Sequence, residues 1–142
     1  MDLYLAHPFE MRYEVRDWEK EFESRNPVRL VNPFYDVARE DMRKFDEGLA
    51  EPRTIKTSDE GLYIVERDLE LINRCDGLLA FITKDKESLG TPMEFFYSSR
   101  ILRKPTYAIT HDMDGHPWVR GLATEVFRTP NDFEKYIQTH NS

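Results

Sequence analysis

Asp68 and Glu94 are the side chains with which this sequence could do chemistry. One is a carboxylate on the apolar stripe of an amphipathic segment. The other stands in the first turn of a helix that opens just after an apolar strand. Two carboxylates in one cleft, one in a dry pocket and one poised at a helix start, can divide the labour of glycosidic cleavage. One attacks the anomeric carbon and the other handles the proton. The stretch Ser88-Leu89-Gly90-Thr91-Pro92-Met93-Glu94 follows the run Gly77-Leu78-Leu79-Ala80-Phe81-Ile82-Thr83, which has the composition of a central parallel strand. Open α/β sheets bind ligands at the carboxyl ends of such strands. The same residues also spell a capping box, with Thr91 at the N-cap, Pro92 at N1 and Glu94 at N3, in which Glu94 would only satisfy a backbone amide. Spacing alone leaves both readings open.

Asp68 falls on the predicted inward stripe Ile64, Asp68, Leu71, Ile72 and Cys75 of a helix begun by a Thr57/Glu60 capping box and running to about Arg74. A carboxylate there is costly unless paired or wet, so it serves either a buried hydrogen bond or a pocket. Other polar groups are predicted at the same sheet edge: Tyr4 and His7 after the first strand, Asp36 after the second, His116 and Arg120 after the fourth. Each has a plain alternative, core for Tyr4, loop surface for His7 and Asp36, solvated loop for His116 and Arg120. Their convergence on one edge is what points to a ligand.

The elements that must position these groups alternate. Leu3–Ala6 reads as a strand, and 12–25 as a helix with Val15, Trp18 and Phe22 inward. Val28–Asn32 is a second strand, and Asp36–Arg53 a charged, weakly periodic stretch expected to form a loose helix and a mobile connection. After the Gly77 strand and the Thr91 helix come a strand at 105–110, a polar loop at 111–116, a strand at 125–128 and a closing helix at 131–138, with Asp132 and Glu134 in its first turn. Right-handed crossovers then give an α/β, doubly wound parallel sheet of five strands.

Composition narrows the function. The 142 residues predict one domain, 1–142, able to fold without disulfide or metal, and the lone Cys75 reads as a core residue. With 27 acids against 20 bases the net charge is -7, which argues against binding a nucleic acid polymer. No secretory signal or membrane-length apolar run is read, so a soluble, cytoplasmic protein is expected. G-x-G-x-x-G, P-loop and G-x-S-x-G patterns are absent, and the four histidines show no metal-binding spacing, so neither metal nor cofactor is expected.

Three segments in order, Tyr4-Leu5-Ala6-x-Pro8-Phe9, Glu66-Arg67-Asp68-Leu69-x-x-Ile72-x-x-Cys75-Asp76 and Gly90-Thr91-x-x-Glu94, resemble the nucleoside 2-deoxyribosyltransferase family, which includes related deoxynucleoside 5'-monophosphate N-glycosidases. The similarity runs from Leu3 to about Lys135. It implies a flavodoxin-like sheet of order 2-1-3-4-5, Glu94 as a nucleophile forming a covalent deoxyribosyl ester, Asp68 assisting proton transfer to the leaving base, and Tyr4 orienting Glu94. It also implies a nucleoside or nucleotide substrate bound by Ser88, Gly90, His7, Phe9, Asp36, His116 and Arg120, and a homo-oligomer with shared active sites. Ser88 stands where transferases typically carry an aspartate for the sugar 5'-hydroxyl, and Ser88-Leu89-Gly90 and Trp118-Val119-Arg120-Gly121 are similar to the hydrolase side. The reading therefore leans to a 5'-monophosphate. A catalytically silent nucleotide sensor of the same fold is the alternative, and a ligand-free interaction domain would leave the inward Asp68 without a reason.

Overall fold

The computed structural model describes residues 1–36, 57–86 and 88–140. Its sheet has five parallel strands, β1 (Asp2–Ala6), β2 (Arg29–Val31), β3 (Gly77–Phe81), β4 (Thr106–Ile109) and β5 (Glu125–Phe127), in the order β2-β1-β3-β4-β5. This is the expected flavodoxin-like arrangement. Every residue of β3 and β4 is buried, and the edge strands β2 and β5 have three residues each, which limits exposed pairing groups.

Two-residue alternation divides the strands between two cores. Leu3, Leu5, Leu79, Phe81, Tyr107 and Ile109 face helices α1 (Arg12–Arg25) and α5 (Pro130–His140), which contribute Val15, Phe22, Phe133 and Ile137. Trp18 joins them, its ring 5.1 Å from Phe22 and 5.5 Å from Phe81. On the other face, Tyr4, Ala6, Leu78, Ala80 and Ala108 meet α2 (Ser58–Arg74), α3 (Gly90–Phe96) and α4 (Pro117–Leu122) through Ile72, Phe95 and Val119. Ala6, Ala80 and Ala108 sit opposite one another in the register, so a row of three methyl groups crosses β1, β3 and β4 toward their carboxyl ends. The helix α3 lies against β1 and β3 there.

Helix ends follow local chemistry. Thr57 caps α2 by accepting the Glu60 amide at 3.2 Å, as its spacing predicts. At the other end the Lys104 ammonium donates to the carbonyls of Ile72, Asn73 and Cys75 at 3.2, 2.7 and 2.8 Å, placing a cation where carbonyls lack helical partners. Along α2, Ile72 is buried, followed by buried Cys75, whereas Ile64, Asp68 and Leu71 are half-buried. Burial pushes the Cys75 thiol up to about 11, which suits a core residue.

Three points go beyond the expected outline. Helix α4 fills the stretch between the loop at 111–116 and the strand at 125–128, to which no element is assigned from sequence, because six residues with one buried side chain, Val119, carry no periodic signal. Glu134 is not an exposed first-turn acid but is buried, since α5 begins at Pro130 and turns it toward α1. There it accepts Arg25 Nε and Nη2 at 2.8 and 3.0 Å and Asn26 Nδ2 at 2.8 Å. The loose helix expected within Asp36–Arg53 lies, beyond Asp36, outside the described residues. Among the described residues, no helix is long and apolar enough to cross a membrane.

Two consequences can be measured. A Cβ at Gly77 would run into the Pro105 carbonyl oxygen and Leu3 Cδ2, so Gly77→Ala should lower unfolding free energy by about 1–3 kcal/mol in urea titration. Bonding to Arg25 holds the Glu134 carboxyl below its ordinary 4.5 against the opposing effect of burial, with Asn26 adding to Arg25. A depressed carboxylate contributes stability above its unfolded value and loses it as pH falls through the folded one. Glu134→Gln should therefore lower Tm at pH 7, and the gap to the parent should narrow as pH drops below 4.5.

Candidate functional site

The carboxyl ends of β1 and β3 lie side by side, and α3 brings Glu94 over them. Tyr4, fully buried in β1, donates its hydroxyl to Glu94 Oε2, so a strand residue and a helix residue 90 positions apart are joined directly. Glu94 itself is half-buried. The capping-box reading of this turn is corrected: the helix starts at Gly90, Leu89 occupies the N-cap position without a side-chain cap bond, and Thr91 is buried. The Ser88 hydroxyl instead accepts the Thr91 amide at 3.2 Å, moving the capping function upstream of Thr91. Gly90 opens the helix where an added Cβ would meet nothing within 4 Å, so it is not required by steric crowding.

Beyond Phe96 the helix of Glu94 continues as a π-helical turn, Tyr97–Ile101, and three successive side chains of that turn fasten it. The Tyr97 hydroxyl donates to Asn73 Oδ1 on α2 at 2.8 Å. Ser98 and Thr106 share a buried hydroxyl contact at 2.8 Å, and Ser99 Oγ donates to the Leu122 carbonyl at 2.6 Å. The helix carrying Glu94 is thereby tied to α2, β4 and α4.

Asp68, half-buried on α2, pairs with the neighbouring Arg67, whose Nη2 and Nε lie 3.1 and 3.3 Å from Oδ1. Each side chain of this pair is 14 % exposed. The guanidinium gives this inward carboxylate a counter-charge, which offsets part of the cost of its burial.

A cavity of about 200 Å³ opens beside this edge. Ser88 lines it with Thr91, Pro8, Ile82, Met113 and Lys86. The lysine is a cation that the motif reading passed over. Its ammonium stands 4.0 Å from Glu10, with Lys86 half-buried and Glu10 exposed. Glu94, Tyr4 and Asp68 are not among the residues lining this cavity.

A second wall of side chains follows β1 and β2. Phe9 is buried in a single 3-10 turn, its ring under the Arg12 guanidinium at 3.9 Å. Phe34 lies 4.9 Å from the His7 ring and 6.0 Å from that of Phe9. Asp36 accepts the Asn32 amide at 2.6 Å and stands 3.7 Å from Arg16. His7 is 4 % exposed and spends both ring nitrogens within the protein, on the Pro8 carbonyl at 2.9 Å and Asn32 Oδ1 at 3.3 Å. Burial pushes the His7 ring below 6.5, with Arg12 acting the same way and the bonds to Pro8 and Asn32 opposing.

Beneath this wall lies a residue that sequence reading missed. Glu19 is fully buried, accepting Asn32 Nδ2 at 2.8 Å and Arg16 Nη1 at 3.2 Å on Oε1. Its Oε2 has no hydrogen-bond partner among the described residues. Burial pushes its carboxyl up to about 7 against Asn32 and Arg16. The signal was available: Glu19 follows Val15 by four positions and precedes Phe22 by three, on the stripe that α1 turns inward.

His116 and Arg120 serve local roles after β4. His116 Nδ1 accepts the Trp118 amide at 3.2 Å as the N-cap of α4, and Arg120 Nε donates to the Asp114 carbonyl. Both are exposed, and neither lines the Ser88 cavity. Asp85, His111 and Asp112 bring possible metal-ligating atoms within 4.8 Å of one another, but this exposed group is otherwise engaged: Asp112 Oδ2 accepts Thr83 Oγ1 and the Lys84 amide, each at 3.1 Å.

No family model matches the chain, and no curated protein matches it. Among solved structures it is similar to the 2-deoxyribosyltransferase from the psychrotolerant bacterium Bacillus psychrosaccharolyticus, with a TM-score of 0.69 and 21 % identity over 96 % of this chain and 92 % of that one. It is likewise similar to a conserved protein from Enterococcus faecalis V583, with a TM-score of 0.67 and 15 % identity over 98 % of each chain. At these identities the likeness is one of fold.

Proposed function

We propose that this chain cleaves the N-glycosidic bond of a 2'-deoxynucleoside or its 5'-monophosphate through Glu94, placing it with the nucleoside 2-deoxyribosyltransferases and their hydrolase relatives. The observation that carries the reading is the hydrogen bond from buried Tyr4 to Glu94, which aims a half-buried carboxylate from outside any capping role. The fold shared with a 2-deoxyribosyltransferase supports it.

The chemistry divides into two displacements. The Glu94 carboxylate attacks C1' of the sugar, the C1'–N bond breaks, and its electron pair leaves with the base nitrogen, which takes the proton of the Asp68 carboxyl. A second base N–H or a water then attacks C1', giving its proton back to Asp68, and the Glu94 carboxylate departs as it arrived. Tyr4 orients the nucleophile throughout. Phe9, Phe34 and Asp36 offer a ring-binding wall, and a neighbouring subunit completes the site in the homo-oligomer.

Ser88 and Lys86 favour a 5'-monophosphate. A carboxylate in place of Ser88, about 4 Å from a phosphate charge, would repel it by about 4 kcal/mol at an effective dielectric near 20. A hydroxyl carries no such penalty, and Lys86 lines the same cavity with a positive charge.

Each deoxynucleoside and each deoxynucleoside 5'-monophosphate, incubated with and without a free acceptor base, should show released or exchanged base for at least one substrate. Glu94→Ala should remove on the order of 10³-fold or more of kcat, and Tyr4→Phe about 10²-fold. Parental activity in Glu94→Ala would exclude Glu94 as nucleophile. In the same assay, Ser88→Asp should reduce kcat/KM for the monophosphate by about a thousandfold relative to the nucleoside. An unchanged ratio would remove Ser88 from phosphate recognition.

A further inference from the structure

Arg16 on α1 stands between two carboxylates. Its Nη1 donates to Glu19 Oε1 at 3.2 Å and lies 3.7 Å from Asp36 Oδ1, and its guanidinium carbon sits 4.6 Å from the centre of the Tyr35 ring. Glu19 is fully buried and Asp36 is exposed, so one cation serves an acid in the core and an acid at the rim of the His7–Phe34 wall. The place for a proton on Glu19 follows from its partners. The Phe34 amide can only donate and lies 3.0 Å from Asn32 Oδ1, which leaves Asn32 Nδ2 as the donor to Glu19 Oε1. Oε1 thus accepts twice, from Asn32 and Arg16, and a proton belongs on Oε2, which has no partner among the described residues. With both acids ionised, one guanidinium faces two negative charges, and the cost falls on the buried acid. The Glu19 carboxyl is accordingly pushed up to about 7, by burial first, with Asn32 and Arg16 opposing and Asp36 adding to the rise. Neighbouring charged groups are engaged elsewhere. Glu23, one turn along α1, accepts the Leu30 amide, and Glu134 on α5 pairs with Arg25. His7, across Asn32, is pushed below 6.5 by burial, with Arg12 acting the same way, so its ring is uncharged where Glu19 titrates.

We propose that Arg16 is a positioning residue for the Tyr35–Asp36 rim, and that Glu19, by gaining or losing a proton, sets how much of Arg16 that rim receives. A protonated Glu19 keeps its bond from Asn32 but no longer attracts the guanidinium as a charge, so Arg16 serves Asp36 and lies against Tyr35. An ionised Glu19 draws the guanidinium inward, because opposite charges attract more strongly away from water. Asp36 is then left without its counter-charge on a turn that it helps to close: its Oδ2 accepts the Asn32 amide at 2.6 Å, and its own amide donates to the Asn32 carbonyl at 2.8 Å. The rim beside Phe34 passes from neutral to negative, and the step exchanges one proton with solvent and nothing else. The inference goes beyond the Glu94 chemistry and holds for any ligand at this wall.

The test is an NMR titration of the full chain, labelled with ¹³C and ¹⁵N, from pH 5 to 9. It follows the side-chain carboxyl carbons of Glu19 and Asp36 and the Nε of Arg16. In the parent protein Glu19 should titrate near neutrality, and the Arg16 and Asp36 signals should bend at the same midpoint. Two variants should move that midpoint in opposite directions. Arg16→Gln, which removes the cation, should raise it, and Asp36→Asn, which removes the competing acid, should lower it, each by about half a pH unit or more, a change of about threefold in proton affinity. A purely structural role gives no reason for opposite signs. Glu19→Gln should abolish the neutral-range bend at Arg16 and Asp36. A Glu19 that keeps one protonation state from pH 5 to 9, or Arg16 and Asp36 signals blind to its titration, overturns the proposal on the parent protein alone, whether or not the variants fold. Midpoints that stay put, or move the same way in Arg16→Gln and Asp36→Asn, overturn it equally. Turnover of a nucleoside or nucleotide enters none of these readings, so failure of the Glu94 chemistry would leave them standing.

Discussion

The hydrogen bond between Tyr4 and Glu94 is the constraint on which the site depends. Its donor sits in a central strand with no exposed surface, and its acceptor rides on a short helix that leaves the neighbouring strand. A phenol buried among apolar side chains needs a partner, and a half-buried carboxylate needs a donor. Each group meets the other's requirement, so the geometry is fixed by the cost of leaving either unsatisfied. The π-helical turn reinforces this from the far end, where Tyr97, Ser98 and Ser99 anchor the same helix to three other elements. Glu94 is therefore mounted on a rigid support between two fastened points.

The second wall is built by a different means. Whereas Glu94 is held by one direct bond, the segment with Phe34 and Asp36 is organised around the side chain and backbone of Asn32. Arg16 reaches both Glu19 and Asp36, at 3.2 and 3.7 Å, so the buried acid and the rim acid share one cation. The two sides of the edge are thus held differently: one by a direct side-chain bond on a fastened helix, the other by a network centred on one asparagine.

Much of this was legible in the sequence, for identifiable reasons. The parallel sheet and its layers follow from short apolar runs separated by amphipathic helices, the strand order from the family resemblance, and the Thr57 cap and the Val15–Trp18–Phe22 stripe from residue spacing. The helix start near Glu94 misled because Thr-Pro-x-Glu fits a cap whether or not Ser88, three residues earlier than Thr91, takes over that task. Asp68 looked anomalous because adjacent helical residues do not ordinarily face each other, yet Arg67 folds back onto it. Glu19 and Asn32, and the buried bond that His7 makes to Asn32, stayed hidden for another reason. Their bonds join positions 13 and 25 residues apart, and only the assembled sheet brings them together.

The alanines at positions 6 and 80, in the two strands that α3 lies against, set how low the helix carrying Glu94 rides on the sheet. Methyl groups are the smallest side chains that still cover a strand, so the reach of Glu94 is governed by residues that touch no ligand. Widening that row would lift the carboxylate, and narrowing it is scarcely feasible. The height of that carboxylate can therefore be retuned in one direction only, by exchanging inert groups beneath the helix while every reactive atom stays the same.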